Sequence, residues 1–166
     1  MGDIGWDEWM VVAVTAAIVT IAVTFHFEVI NVLTRWAHRR ARNSAAGHAS
    51  RITLLVIMFA LLLSHIVEVW LFAVGYWGLA ATGNHGHVIG YEQFTLLDHV
   101  YFSATNYTTV GWGDLSAVGP LRFLAGTEAL TGFLLLTWSA SFTFLVMGRI
   151  WGYRDTEKIG PEGEGS

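Results

Sequence analysis

The sequence predicts an all-α membrane protein with three transmembrane helices and one short re-entrant helix between the second and the third. Of its 166 residues, 54% are hydrophobic and only 13% are charged, whereas an average soluble domain has about 25% charged residues. Three apolar runs are each long enough to cross a bilayer, which takes about 20 residues in a helix. The chain has no cysteine, which excludes disulfides, thiolate metal sites and cysteine nucleophiles.

The three apolar runs differ in what surrounds them. The first extends from Met10 to about Leu33, and the acidic residues before it predict a transmembrane helix rather than a secretory signal. The second extends from Ile52 to about Ala81, and the third from Leu121 to about Ile150. Residues 98–109 are moderately apolar but too few to span, and this suits a re-entrant helix.

Basic residues predict the orientation. Five arginines lie between the first and second runs, and three basic residues lie at or after the end of the third. We therefore expect both segments in the cytoplasm and the N-terminus outside, in a multi-pass protein of the plasma membrane. No nucleic-acid partner is expected, and anionic lipid is expected to bind the arginine cluster, which consists of Arg35, Arg39, Arg40, Arg42 and Arg51.

The chain divides into three parts. Residues 1–51 hold the outer segment, the first span and a basic cytoplasmic loop, and residues 52–150 hold the other two spans with the re-entrant helix. Residues 151–166 are rich in glycine and acids, which predicts a short disordered cytoplasmic tail.

The segment after the re-entrant helix carries the functional signal. A stack of backbone carbonyls can replace the hydration shell of a cation without fixed counter-charges that would trap it. Glycines can adopt the backbone conformations that aim successive carbonyls inward. One chain supplies one such strand, so a closed ring needs several copies around a symmetry axis. The segment is Thr108-Thr109-Val110-Gly111-Trp112-Gly113-Asp114.

This motif, set between two spans and after a short helix, resembles the filter of the potassium-channel pore-domain family, T-x-V-G-(Tyr/Phe)-G-D. The resemblance covers roughly residues 52–148. It implies a passive, homotetrameric potassium channel rather than an enzyme, with K⁺ as the permeant ion and no other cofactor. It also implies a pore domain at 52–150, an acidic ring of Asp114 at the outer mouth, and ion binding at Thr109, Val110, Gly111, Trp112 and Gly113.

One position departs from the family pattern. Trp112 stands where the family has tyrosine or phenylalanine, and an indole is larger than a phenol ring and donates its hydrogen bond from a different place. A weakly selective monovalent cation channel is therefore the alternative. A non-conducting accessory subunit is a third hypothesis that the sequence leaves open.

The short helix is expected to be the pore helix. Thr95 and Asp98 form a capping-box-like start, and the helix should run to about Tyr107. Its C-terminal end would face the membrane centre, where its partial negative charge favours a cation. The resemblance assigns support of the filter to residues of this helix and its end, namely Tyr101, Phe102, Thr105 and Thr108.

The third span should be the inner helix that lines the pore. Phe133, Leu136, Ala140 and Phe144 fall on one face at spacings of three or four, and family cavity positions align with them if one residue is deleted after the filter. We predict an apolar cavity with Phe144 near a cytoplasmic constriction that gates by dewetting. Gly132 is either a hinge or a site of close helix packing.

Ionisable residues inside the spans need an explanation, because they are costly in a bilayer. His65 and Glu68 share one face of the second span, and Glu128 lies at a shallower depth within reach. These three residues form either a sensor of pH or ions or a hydrogen-bonded network that fixes the packing of the helices. The network is the favoured interpretation. His26 and Glu28 are expected to contact the basic loop or lipid headgroups.

Other histidines suggest two remote alternatives. His26 and His65 lie on separate spans, expected at unequal depths, so a b-type haem or quinone redox protein remains a distant hypothesis that leaves the 108–114 motif unexplained. His85 and His87 lie in the outer loop, which is expected to be flexible and exposed. Binding of a divalent metal by this pair across subunits is the less favoured interpretation.

Overall fold

The computed structural model describes residues 5–43, 48–92 and 94–150, and most of them are helical. Three long helices are apolar enough to cross a membrane, which confirms an all-α membrane protein with three spans. The shorter fourth helix and two three-residue strands lie between the last two spans. The elements are α1 (Trp6–Asn43), α2 (His48–Ala81), β1 (His87–Ile89), α3 (Leu96–Tyr107), β2 (Ser116–Val118) and α4 (Leu121–Ile150).

Helix α1 is longer than its apolar run predicts. It continues ten residues past Leu33 to Asn43, because the sequence there is rich in arginine and alanine, which are strong helix formers. The expected basic loop is therefore largely helical, with Arg35 and Arg39 exposed on α1. The Arg40 guanidinium lies over the Trp36 ring, 5.5 Å from its centroid.

The other two arginines of the predicted basic cluster, Arg42 and Arg51, lie at the end of α1 and at the start of α2. Arg51 belongs to the first turns of α2 and is exposed, which corrects its expected place in a loop. The side chain of Arg42 and the expected disordered tail at 151–166 lie outside the described residues.

The core has two parts. The larger part packs the first half of α1 against the second half of α2, α3 and the start of α4, with Phe72, Tyr76 and Leu124 fully buried. The smaller part joins the second half of α1 to the first half of α2 and the end of α4, around Ile57 and Leu61. Helix α2 therefore runs antiparallel to α1 and α4, which are parallel to each other, and α3 packs between the long helices at one end of the bundle.

A two-stranded hairpin closes the segment around α3. β1 and β2 are antiparallel, with Val88 opposite Ala117. A Cβ at Gly86, whose φ is +92°, would lie 2.0 Å from the carbonyl oxygen of Val118, so only glycine allows this approach. The two ends of the segment that carries α3 and the 108–114 motif are thereby held together.

One histidine of the loop that follows α2 is held in place beside this hairpin. His85 is buried, with Nδ1 2.5 Å from the Thr82 hydroxyl, and its carbonyl accepts a hydrogen bond from the Leu121 amide at 3.0 Å. His87 is exposed on β1. The expectation of a flexible, exposed loop is therefore wrong for His85.

Candidate functional site

The start of α3 is fixed by the predicted capping box. The Thr95 amide donates to the Asp98 carboxylate at 2.7 Å, and the Asp98 amide donates to the Thr95 hydroxyl at 3.3 Å. Hydrogen bonds from the hydroxyl and amide of Thr95 lower the pKa of Asp98. The helix ends at Tyr107 with Thr108 as its C-cap, which confirms both predicted ends.

The backbone after α3 alternates in handedness. Thr109, Gly111 and Gly113 have φ angles of +59°, +51° and +82°, whereas φ is negative at Val110 and Trp112 between them. A Cβ at either glycine would meet nothing within 4 Å in the chain. Glycine is therefore required at these two positions for its conformation and not for space, and Thr109 adopts a conformation that is uncommon for a residue with a side chain.

Helix α3 anchors this alternating segment through its backbone. The Gly111 amide donates to the Thr105 carbonyl at 3.1 Å, and the Thr109 amide donates to the Asn106 carbonyl at 2.8 Å. The hydroxyls of Thr105 and Thr108 donate to carbonyls of the preceding turn of α3. Support of the segment thus comes from the carbonyl of Thr105 and not from its side chain.

Two tyrosines hold the carboxylate that follows the segment. The Tyr101 hydroxyl donates to Asp114 at 3.0 Å, and the Tyr91 hydroxyl reaches the same carboxylate oxygen at 3.5 Å. The hydrogen bond to Asp114 raises the pKa of Tyr101. Tyr91 was not singled out in the sequence, since it lies 23 residues from Asp114 and is brought near only by the hairpin.

The second aromatic residue assigned to filter support has a different neighbour. Phe102 is buried and packs edge-on against Tyr76 of α2, with ring centroids 5.0 Å apart. It therefore fixes α3 against α2, whereas Tyr101 reaches Asp114.

Residues of the motif and one face of α4 are exposed in the single chain. Trp112 is 71% exposed and Val110 is also exposed. On α4, Phe133 and Ala140 are exposed and Phe144 is 75% exposed, as expected for one face of the helix. Leu136 differs, because it is partly buried and packs against the larger core.

Gly132 of α4 packs against Tyr107, the last residue of α3. A Cβ there would lie 2.1 Å from the carbonyl oxygen of Tyr107 and 2.8 Å from two of its carbon atoms. Since real Cβ atoms do not approach so closely, this geometry favours close packing over a hinge as the reason for glycine at this position.

The predicted group of His65, Glu68 and Glu128 is divided between two clusters. Glu128 is fully buried and accepts hydrogen bonds at 2.5 Å from the hydroxyls of Tyr76 and Ser103. We call these three residues the Glu128 cluster. This cluster joins α2, α3 and α4. Neither Tyr76 nor Ser103 was identified from the sequence, because nothing in the sequence near a hydroxyl indicates which distant residue it bonds.

His65 and Glu68 belong to a second group, the Glu68 cluster, with His26, Tyr107 and Ser139. His26 Nδ1 lies 2.9 Å from one Glu68 oxygen, and His65 Nδ1 lies 3.1 Å from the other. The Tyr107 hydroxyl donates to Glu68, and Ser139 Oγ lies 3.2 Å and 3.0 Å from the Nε2 atoms of His26 and His65. The cluster therefore joins all four helices.

The position of His26 corrects two expectations. It is fully buried rather than in contact with the basic segment or headgroups, and its ring centroid is 5.1 Å from that of His65, so the two residues share one depth. The cause is the length of α1, which places His26 near the middle of the helix and not near its inner end. Both rings contact Glu68 and Ser139 and leave no space for a haem between them. Glu28 is exposed.

Residues 51–148 match a family model described as ion channel. The matched segment is more than half of the chain and includes nearly all of α2 and α4, with α3 and the hairpin between them. Helix α1 lies outside it. No curated protein and no solved structure matches the chain significantly.

Proposed function

Because the chain belongs to the ion-channel family, and within it to the potassium-channel pores of the two-transmembrane type, we propose that it is a potassium-selective channel that works as a homotetramer. Family membership establishes passive ion transport through a membrane as the general activity. Selectivity for K⁺, the number of subunits and the identity of the filter are the parts proposed here.

The observation that carries the proposal is the backbone of residues 109–113. Thr109, Gly111 and Gly113 have positive φ, and the residues between them, Val110 and Trp112, have negative φ. Such alternation turns successive peptide groups toward the same side. Four such strands around an axis would supply rings of carbonyl oxygens that replace the hydration shell of K⁺. The bond from Gly111 to the Thr105 carbonyl supports a fixed filter geometry.

The exposed surfaces support assembly. Val110 and Trp112 of the filter, with Phe133 and Phe144 of α4, are apolar side chains that the single chain leaves exposed. In a tetramer the α4 face would line the cavity and the filter would be enclosed by neighbouring copies. An apolar cavity that narrows at Phe144 would gate by dewetting.

Two electrostatic features favour cations along this path. The C-terminal end of α3 carries partial negative charge and would point toward the cavity. Four copies of Asp114 would form an acidic ring at the outer mouth that concentrates cations before they enter. The hydroxyls of Tyr101 and Tyr91 would hold that ring in place.

We also propose that the N-terminus is outside the cell and that the extension of α1 is cytoplasmic. Arg35, Arg39 and Arg51 are exposed near the end of α1 and the start of α2. If these arginines lie in the cytoplasm, they follow the bias of basic residues toward that side of the membrane, and they can contact anionic lipid there.

Reversal potentials of the purified, reconstituted protein test selectivity. With a K⁺ gradient against Na⁺, the current should reverse near the K⁺ equilibrium potential. Gly111→Ala should abolish the current, because Gly111 has a φ of +51° that alanine adopts poorly. Gly78→Ala is the matched control, since a Cβ there meets nothing within 4 Å and Gly78 lies within α2.

Growth of a bacterium that lacks K⁺ uptake gives a second readout. Expression of the wild type and of Gly78→Ala should restore growth at low K⁺, whereas Gly111→Ala should not. Growth that does not depend on Gly111 would contradict a filter at this segment.

A weakly selective cation channel is the second candidate, and it is favoured by Trp112 at the aromatic position of the filter. Trp112→Tyr restores the family residue and separates the two hypotheses. If the wild type discriminates poorly between K⁺ and Na⁺ and Trp112→Tyr discriminates well, the second candidate is correct. If both reverse near the K⁺ potential, the selective channel is correct.

A further inference from the structure

We propose that His26, His65 and Glu68 form a binding site for a divalent transition-metal ion, best matched by Zn²⁺, that ties α1 to the pore-forming part of the chain. Among the described residues, these are the only three metal-ligating side chains whose donor atoms come together, all within 4.8 Å of one another. The proposal departs from the expectation that the chain needs no metal besides permeant K⁺. It is independent of which cation the channel conducts.

The spacing of the donor atoms suits such an ion. His26 Nδ1 and His65 Nδ1 lie 2.9 Å and 3.1 Å from the two oxygens of Glu68. A tetrahedral Zn²⁺ about 2.0–2.1 Å from each donor holds neighbouring donors about 3.3 Å apart. The two distances to Glu68 are within a few tenths of an ångström of that separation, and all three donor atoms lie within 4.8 Å of one another.

A fourth donor is already present. The Tyr107 hydroxyl lies 2.9 Å from His65 Nδ1 and donates to Glu68, so its oxygen belongs to the same group of atoms. Binding of Zn²⁺ with loss of the Tyr107 proton to solvent gives two neutral imidazoles, one carboxylate and one phenolate. The charges of this complete site sum to zero, which matters because an uncompensated charge in the protein interior is costly.

The other nitrogen of each imidazole also fits a metal-bound state. Both Nε2 atoms face one oxygen, Ser139 Oγ, at 3.2 Å from His26 and 3.0 Å from His65. When both Nδ1 atoms bind a metal, both Nε2 atoms carry protons, and a hydroxyl oxygen can accept from both through its two lone pairs. Metal-ligating histidines regularly donate their second N–H in this way, which fixes ring orientation and tautomer.

The place of the site suggests what the ion does. His26 is contributed by α1, which lies outside the segment matched by the channel family. His65 and Glu68 come from α2, and Tyr107 is the last residue of α3, two residues before Thr109. A metal bound there would attach the additional helix directly behind the filter and would hold the end of the pore helix in place.

Zinc binding to the purified full-length channel tests the proposal. After equilibrium dialysis against Zn²⁺ and removal of free ion, the wild type should retain about one ion per chain. His26→Gln should lose it, whereas His87→Gln, which changes an exposed histidine on β1, should retain it. Zn²⁺ should also raise the unfolding temperature of the wild type and of His87→Gln but not that of His26→Gln.

A gentler variant keeps the test decisive if His26→Gln fails to fold. Ser139→Ala retains all four donors and removes only the acceptor of the two Nε2 protons, so Zn²⁺ affinity should fall about 10–100-fold. Cobalt provides a spectroscopic readout, because Co²⁺ in a four-coordinate N₂O₂ site gives visible absorption bands that should be absent from His26→Gln.

Three results would overturn the proposal. The first is a wild type that retains no Zn²⁺ after dialysis. The second is equal retention by the wild type and a folded His26→Gln, which would mean that the ion binds elsewhere. The third is loss of the ion in His87→Gln, which would assign it to the outer loop with His85.

Discussion

Replacing Gly132 with alanine should weaken the contact between α4 and the end of α3. The added Cβ would lie 2.1 Å from the carbonyl oxygen of Tyr107, whereas ordinary contacts between carbon and carbonyl oxygen are about 3.3–3.6 Å. One of the two helices must therefore move by about 1.2 Å. Because the Thr105 carbonyl of α3 accepts a hydrogen bond from the Gly111 amide, this movement should also reach the proposed filter.

The magnitude follows from two opposing terms. Overpacking of a well-packed contact costs about 1–3 kcal/mol, whereas alanine in a helix interior is favoured over glycine by about 0.8–1.0 kcal/mol. Gly126→Ala is the control, because Gly126 also lies within α4 and a Cβ there meets nothing within 4 Å. Gly126→Ala therefore gains the helix propensity of alanine without the cost of overpacking. The free energy of unfolding should therefore be lower in Gly132→Ala than in Gly126→Ala by about 1–3 kcal/mol.

Thermal unfolding in detergent and single-channel recording measure the two effects. Gly132→Ala should unfold at a lower temperature than Gly126→Ala and should show a reduced single-channel conductance. Gly78→Ala on α2 serves as a second control, so that a contact between Gly126 and a neighbouring subunit would be recognised. If Gly132→Ala is as stable and conducts as well as both controls, the packing of Tyr107 on Gly132 is not as described.

Three further predictions concern polar side chains. Because the pKa of Asp98 is lowered, its carboxylate contributes stability that is complete above the ordinary aspartate pKa and is lost as the pH falls through the lowered pKa. Thermal unfolding of Asp98→Asn should therefore be less sensitive to acid than that of the wild type, and equal sensitivity would refute this. Asp114→Asn should lower single-channel conductance mainly at low ionic strength, because salt screens the acidic ring, and a loss that is uniform across salt concentrations would argue against this role. Tyr76→Phe should lower the free energy of unfolding by about 1–3 kcal/mol, since it leaves the buried Glu128 with one hydrogen-bond donor fewer, and a stability equal to that of the wild type would mean that this bond contributes little.

The parts of the fold set by local sequence were predictable. The start of α3 follows from Thr95 and Asp98, whose effects operate within a few residues, and its end lies where the 108–114 motif begins. The three spans follow from long apolar runs, because a bilayer requires them. The end of α1 was not predictable from hydropathy, since arginine and alanine continue a helix after the apolar residues stop.

The parts that depend on tertiary contacts were not predictable. His26 and Glu68 are 42 residues apart, and nothing local to either residue indicates that their side chains meet. Tyr76 and Ser103 look like ordinary helix residues until they are placed around Glu128. The strands β1 and β2 have three residues each, which is too few to show a periodic pattern.

The hairpin also separates the tip of the loop that follows α2 from the 108–114 motif. Gly83 and Asn84 are exposed beyond the bond between His85 and Leu121, and a Cβ at Gly83 meets nothing within 4 Å. Residues added at this tip would lengthen the loop while β1 and β2 stay paired, because exposed loop tips tolerate insertions. An epitope inserted between Gly83 and Asn84 would thus label one face of the membrane on an intact channel, and related chains can differ in length there at little cost.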